Sequence, residues 1–364
     1  MRPTIARLAA VLALTMNLGP AGAHPEARGL TIHSVRVLHG LKQPVAFTFT
    51  PNGRIFYLEK TTGEIHLADP ATDANHRFFT VSHVNGSGER GALGVALHPN
   101  YPATPFVYVY ATRSVHGHLR NQIVRIRASG GHGTGMKVIF SAPASASPYH
   151  NGGRIMFGPD GLLYAFVGDA HDSSNAQDTS RNNRGKMLRM TSHGRRPATN
   201  PFHNLIWSYG NRNSFGFDFD PQTNNLWETE NGPECNDELN LITRGDNFGW
   251  GPHETCSGSA PDNTNQDGPN IHLPKYWYTN TLGITGMAFC QACSLNPASE
   301  GTFFFGDINN GRLYRADLNP ARDGVAGDPS VILTHSGGIA SLETAPNGTI
   351  YFSDFGAIYK LVFS

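Results

Sequence analysis

Residues 152–169 read GGRIMFGPDGLLYAFVGD: an apolar run, a Pro-Asp-Gly turn, and a second apolar run. Short apolar runs bounded by turn formers predict two β-strands paired as a hairpin. The same plan recurs along the chain, and such self-similarity decides an architecture. FTFTPNGRIFYLEKTTGEIHLAD, from Phe47, is one copy; GALGVALHPNYPATPFVYVYATR with NQIVRIRA is the next. The opening stretch is completed by GKMLRMT, and FGFDFDPQTNNLWETENG by DELNLIT. GMAFCQACSLNPASEGTFFFGDINNGRLYRADL and IASLETAPNGTIYFSDFGAIYKLVF complete the series. Each copy carries a turn proline: Pro51, Pro99, Pro159, Pro221, Pro297 and Pro346.

Units that cannot bury both faces alone must stack on neighbours, so the expected fold is all-β, a six-bladed β-propeller of four-stranded antiparallel blades. A pair of sandwiched sheets would not need one internal plan in every copy. The segment LTIHSVRVLHG, ahead of the first copy, is expected to supply the outer strand of the last blade and hide its edge. The intervals after the third and fourth copies are long, so insertions gather there, on loops able to build a site.

Composition agrees. Gly 41 and Pro 24 with only 15% charged residues favour a turn-rich β protein among 364 residues. The formal net charge of +0 gives no reason to expect a nucleic-acid partner. At the N-terminus, Arg2 and Arg7, the apolar run LAAVLALTMNL and Ala21-Gly22-Ala23 read as a signal peptide over residues 1–23, which leaves a single propeller domain over 24–364. No later run predicts a membrane span. The expected localisation is secreted or extracytoplasmic, where disulfides are permitted. Cys235 with Cys256, and Cys290 with Cys293, are the favoured pairs; zinc is the competing use of four cysteines, but only one C-x-x-C is present.

Three stretches carry polar groups suited to chemistry. His150 and Asp169 stand at the two ends of the opening hairpin, and a carboxylate beside an imidazole fixes its tautomer and raises its basicity. The plainer alternative is a hydrogen-bonded structural histidine, one of 17 in the chain. SYGNRNSFGFDF places Arg212 and Asn213 at the entry to the fourth blade; a guanidinium there suits a carboxylate or a quinone oxygen, or else a salt bridge between blades. ENGPECNDELNLITRGDNFGWG concentrates oxygen donors, with Asp237 and Glu238 beside the Gly232-Pro233 turn. Hard cations take such donors, although an acidic solvated turn has the same composition.

GERGALGVALHPNY, HNGGRIMFGPDGLLYAFVGD, GKMLRM with the following NPF, YGNRNSFGFDF and NGPECNDELNLITRGDNFGWG occur in order. On these motifs nearly the whole chain resembles the soluble glucose, aldose and sorbosone dehydrogenases that use pyrroloquinoline quinone (PQQ) and calcium. The resemblance implies PQQ- and Ca²⁺-dependent oxidation of an aldose at its anomeric carbon, with an external electron acceptor. It implies His150 as base, Asp169 as its orienting carboxylate, and Glu89, Arg212 and Asn213 as cofactor contacts, Arg212 also stabilising the developing oxyanion. It implies Gly232 and Pro233 carbonyls on the catalytic calcium, and Asp237 and Glu238, with the Phe248 carbonyl, on a structural one. The chain departs from the family where three cations hold the cofactor's carboxylates: those positions fall at Asn309, Gly338 and Ala340. Arg312, His335 and Lys275 stand near enough in sequence to be substitutes. The alternative to the enzyme is a propeller that has lost PQQ and binds a carbohydrate or a protein, or performs redox-free chemistry on a glycan.

Overall fold

The computed structural model describes residues 31–180 and 182–364; the expected signal peptide lies outside the described residues. Six four-stranded antiparallel sheets follow one another in chain order. Blade one runs from Phe47–Phe49 to Ala74–Thr80, and blade two from Ala92–Leu97 to His132–Pro143. Blade three comprises Ile155–Phe157, Leu163–Val167, Lys186–Met190 and Ile206–Tyr209. Blade four comprises Ser214–Phe219, Leu226–Glu230, Asp237–Ile242 and Tyr276–Tyr278. Blade five runs from Ile284–Phe289 to Ser330–Thr334, and blade six takes Ser341–Thr344, Ile350–Ser353 and Ala357–Phe363. The outer strand of blade six is Ile32–His39, paired antiparallel so that Ile32 faces Phe363 and His39 faces Ala357. The N-terminal segment therefore closes the ring as the sequence predicts, and no blade is left with the extra edge an open array would expose.

Strand alternation builds the packing. In the second strand of blade two, Val107 and Val109 join the cluster shared with blade one, while Tyr108 and Tyr110 join the cluster shared with blade three. A period of two sends successive side chains to opposite faces, so a strand buried on both faces is apolar throughout. Equivalent clusters fill the remaining junctions: Phe166 with Phe217, Trp227 with Phe303, Phe304 with Phe352, and Tyr57 with Ile358 between the last and first blades. The turn prolines behave as read, except that Pro297 opens a short 3-10 turn, Pro297–Ser299.

Both cysteine pairs are disulfides, Cys235–Cys256 and Cys290–Cys293. The first ties the turn before Asp237 to the long insertion that separates the third and fourth strands of blade four. No helix among the described residues is long and apolar enough to cross a membrane.

Candidate active site

The first strands of the blades line the central axis, and their N-terminal ends meet at one mouth. A cavity of about 240 Å³ lies there, lined from every blade, with Lys60, Glu89, Gly152, Phe215, Thr285 and Ala340 among its walls.

His150 sits just ahead of blade three with a backbone φ of 55°, in the left-handed region that costs a non-glycine residue energy and often marks function. Gly152 makes this turn possible: it has φ +62°, and a Cβ there would lie 2.7 Å from both Gly168 N and Phe166 O. The imidazole is held firmly. Its Nδ1 lies 2.7 Å from Asp169 Oδ1, and a proton on Nδ1 shared with that carboxylate leaves Nε2 as the basic nitrogen. Asp169, only 1% exposed, also accepts from the His171 amide at 2.7 Å and from Trp250 Nε1–H at 2.9 Å. The sequence reading missed Trp250. It lies 81 residues from Asp169 in the chain, on the blade-four insertion, and is fastened by its amide to Gly210 O and by its carbonyl to Gln177 Nε2.

The entry to blade four meets the same cluster. Asp169 N–H donates to Arg212 O at 2.8 Å, and the Arg212 guanidinium lies 5.4 Å from the centre of the Trp250 ring. Arg212 donates from its backbone amide to Glu230 and from a terminal nitrogen to Asn231 O, while its Nε–H is buried without a partner. Burial lowers its pKa from the usual arginine value, opposed by the nearby Asp169 and Glu230 carboxylates. Glu89 links the two blades: one oxygen accepts from the His150 amide at 2.7 Å and from Asn213 Nδ2 at 3.1 Å. The Asn213 carbonyl oxygen accepts from Gly152 N–H. His150, Asp169, Glu89, Arg212 and Asn213 are thus one connected network, with Trp250 as its hinge.

The oxygen-rich stretch divides between two environments. Asp237 and Glu238 are consecutive on a strand and point to opposite faces. Asp237 accepts backbone N–H bonds from Gly232, Leu282, Gly283 and Ile284, so it fixes the junction with blade five. Glu238 stands opposite Glu230 in the register. With Glu228, two residues along the same face, they form a fully buried carboxylate cluster. Desolvation raises the pKa of all three; repulsion by Glu230 adds to it at Glu228 and Glu238, while at Glu230 the Arg212 amide and guanidinium and Asn211 oppose it. Asn211 and Asn240 turn their amide nitrogens to these carboxylates, leaving their own Oδ1 atoms, and Glu228 Oε1, buried without partners. Between Arg212, Glu230, Gly232, Glu238 and Asn265 lies a void of about 10 Å³, the order of space one ion or water fills. Pro233 is partly exposed beside it, and Phe248 is 2% exposed in the seam between blades three and four.

The far side of the mouth lacks cations. Asn309 is exposed, Ala340 is 9% exposed, and a Cβ on Gly338 would stand 2.3 Å from Ile308 O. None of the proposed substitutes lines the cavity: Arg312 and Lys275 are exposed at the surface, and His335 is paired with Asp354 at 2.9 Å. The cations that do line it are Lys60 and Arg154, neither marked by the sequence reading.

The family model for glucose/sorbosone dehydrogenases matches residues 41–359. The aldose sugar dehydrogenase YliI of Escherichia coli is 26% identical over 333 residues, covering 85% of this chain and 86% of that protein. Quinoprotein glucose dehydrogenase B of Acinetobacter calcoaceticus is 30% identical over 245 residues, covering 59% of this chain and 51% of that protein. The PQQ-bound aldose sugar dehydrogenase of Streptomyces coelicolor superposes with a TM-score of 0.77 at 27% identity, covering 92% of this chain and 98% of that one.

Proposed function

The chain belongs to the glucose/sorbosone dehydrogenase family, and from that premise we propose that it oxidises an aldose at the anomeric carbon, with His150 as base and a quinone as acceptor. One observation carries this reading: the Trp250–Asp169–His150 relay, two bonds of 2.9 and 2.7 Å that leave imidazole Nε2 as the basic atom. His150 Nε2 takes the hydroxyl proton as the C–H hydride leaves. Asp169 stabilises the imidazolium and keeps the ring from turning, a general-base contribution of roughly 10²–10⁴-fold. Arg212 offers its unpartnered Nε–H to negative charge that develops at an acceptor oxygen.

PQQ, when bound, supplies a two-electron acceptor. The residues of blades two to four fit such a head: Arg212 with a free donor, and Glu89 and Asn213 lending a polar wall. The residues of blades five and six do not fit its three carboxylates, since no cation stands at 309, 338 or 340, and no step is derived through that group. Calcium fits better. Glu230 and Glu238, with the unpartnered Asn236 Oδ1 at the void beside Gly232, make an all-oxygen donor set in which a divalent ion would relieve the carboxylate repulsion. Asp237 falls outside that set. The two disulfides support export to an oxidising compartment, where electrons would pass to an external acceptor. The second reading, a carbohydrate- or protein-binding propeller, is favoured only by the missing cations.

The test is oxidation of a panel of aldoses with a dye acceptor, with the product identified as lactone. Wild type should reduce dye and His150→Ala should lose about 10²–10⁴-fold in kcat. Saturable sugar binding with no lactone from any aldose would favour the binding module.

A further inference from the structure

The mouth has a composition that points to its ligand. Its apolar walls are Val45, Leu93, Phe215, Ile308, Ala340 and Phe355, and Ile308 and Phe355 remain 38% and 41% exposed. Large apolar side chains left open around a cavity favour an apolar occupant. Its charged groups are Lys60, Glu89 and Arg154, and each is already engaged. Lys60 Nζ donates to Gly86 O and Gly88 O at 3.1 and 2.6 Å. Glu89 accepts from His150 and Asn213 and would repel an anion. Arg154 donates to Ser341 Oγ, Leu342 O and Glu343; its Nε–H alone is buried without a partner. That donor count suits one neutral carbonyl oxygen and not several carboxylates. Nor can the backbone make room for a cation at 338, because Ile308 O occupies the place of the Cβ. A polyanion entering here would give up hydration for one ammonium, Lys60, which already serves two backbone carbonyls and shares the wall with the Glu89 carboxylate, too little opposite charge for three carboxylates.

We propose that this mouth binds an uncharged quinone as an exchangeable electron acceptor, in place of a tightly held tricarboxylate cofactor. The chemistry balances. The aldose carbinol loses a hydride from carbon and a proton from oxygen to become the lactone, and the quinone gains a hydride and a proton to become the hydroquinone. His150 Nε2 holds the proton between the two. The redox step rests on the sugar-oxidation reading; binding of the quinone does not.

The experiment is an equilibrium titration of the whole chain, in calcium buffer at two salt concentrations, followed by tryptophan fluorescence. The probes are PQQ, its neutral trimethyl ester, and menadione. The ester and menadione should bind at least about tenfold more tightly than PQQ, with little salt dependence. Ala340→Arg should reverse the preference, and Phe355→Lys, at an exposed position, does so independently should the first variant fold poorly. PQQ binding more tightly than its ester, or no probe saturating by roughly 100 μM, overturns the proposal. Neutral quinone binding without oxidation of any aldose would leave the mouth assignment standing and remove the sugar reading. His150-dependent dye reduction with PQQ as the preferred ligand would do the reverse.

Discussion

The two halves of the mouth differ in how they treat polar groups. On the side of blades three and four, behind the Glu89 and Gly152 wall, His150, Asp169, Arg212 and Trp250 are cross-linked across three chain segments, so each side chain has one position. On the side of blades five and six, Ile308, Ala340 and Phe355 present apolar surface, and Arg154, reaching across from blade three, is paired with Glu343 at 2.6 Å. A reaction centre needs preorganised groups where charge moves, whereas a holding site needs only complementarity to what it holds. One half is a fixed hydrogen-bonded network suited to the proposed proton transfer, and the other is apolar. The ligand is thereby free to change while the proton chemistry stays.

The hardest test of that contrast is Asp169→Asn. It should leave the ring tautomer unfixed and cut kcat by about 10²–10⁴-fold, with Tm little altered; a variant with near-normal kcat would detach the carboxylate from the chemistry. Next is metal removal. Chelation should lower Tm and restore it on adding Ca²⁺, and Glu238→Gln should abolish that response while Asp237→Asn should destabilise with the response intact. Calorimetry with and without chelator decides it, and an unchanged Tm on chelation would refute the cation assignment. Trp250→Phe keeps the ring but removes one donor from a buried carboxylate, worth about 1–3 kcal/mol. Its kcat/KM should fall by the corresponding factor, and the ¹⁵N shifts of the His150 ring should report a less uniform tautomer; unchanged shifts and rate would make Trp250 mere packing.

The smallest effect belongs to the other half. Burial raises the Glu343 pKa to about 7, despite the attraction of Arg154. A carboxyl whose folded pKa is raised stabilises the fold fully below its unfolded value and loses that contribution as pH rises through the folded one. Stability should therefore decline between pH of about 4.5 and about 7, and Glu343→Gln should flatten that decline in a Tm-against-pH series. An unchanged slope would mean that Arg154 keeps Glu343 ionised throughout.

The fold was legible because a propeller repeats its local rule: turn proline, aromatic strand and period-two burial can be read copy by copy, and even the closing strand Ile32–His39 follows from the need to cover an edge. His150 and Asp169 were legible because one hairpin spans them. Trp250 was not, since only the folding of a long insertion carries its indole to Asp169. Glu230 was overlooked for a related reason: its partner Glu238 is its cross-strand neighbour, a relation of register and not of spacing. Arg154 stands inside the HNGGRIMF motif and Lys60 inside the first repeat, but only ring closure brings them to the same cavity as Ala340.

The most direct measurement is single-turnover oxidation of an aldose deuterated at C1, compared with the ordinary sugar, in wild type and His150→Ala. The account predicts lactone formation that slows with the deuterated sugar in wild type and is nearly abolished in the variant. Equal lactone formation by the two proteins would contradict it.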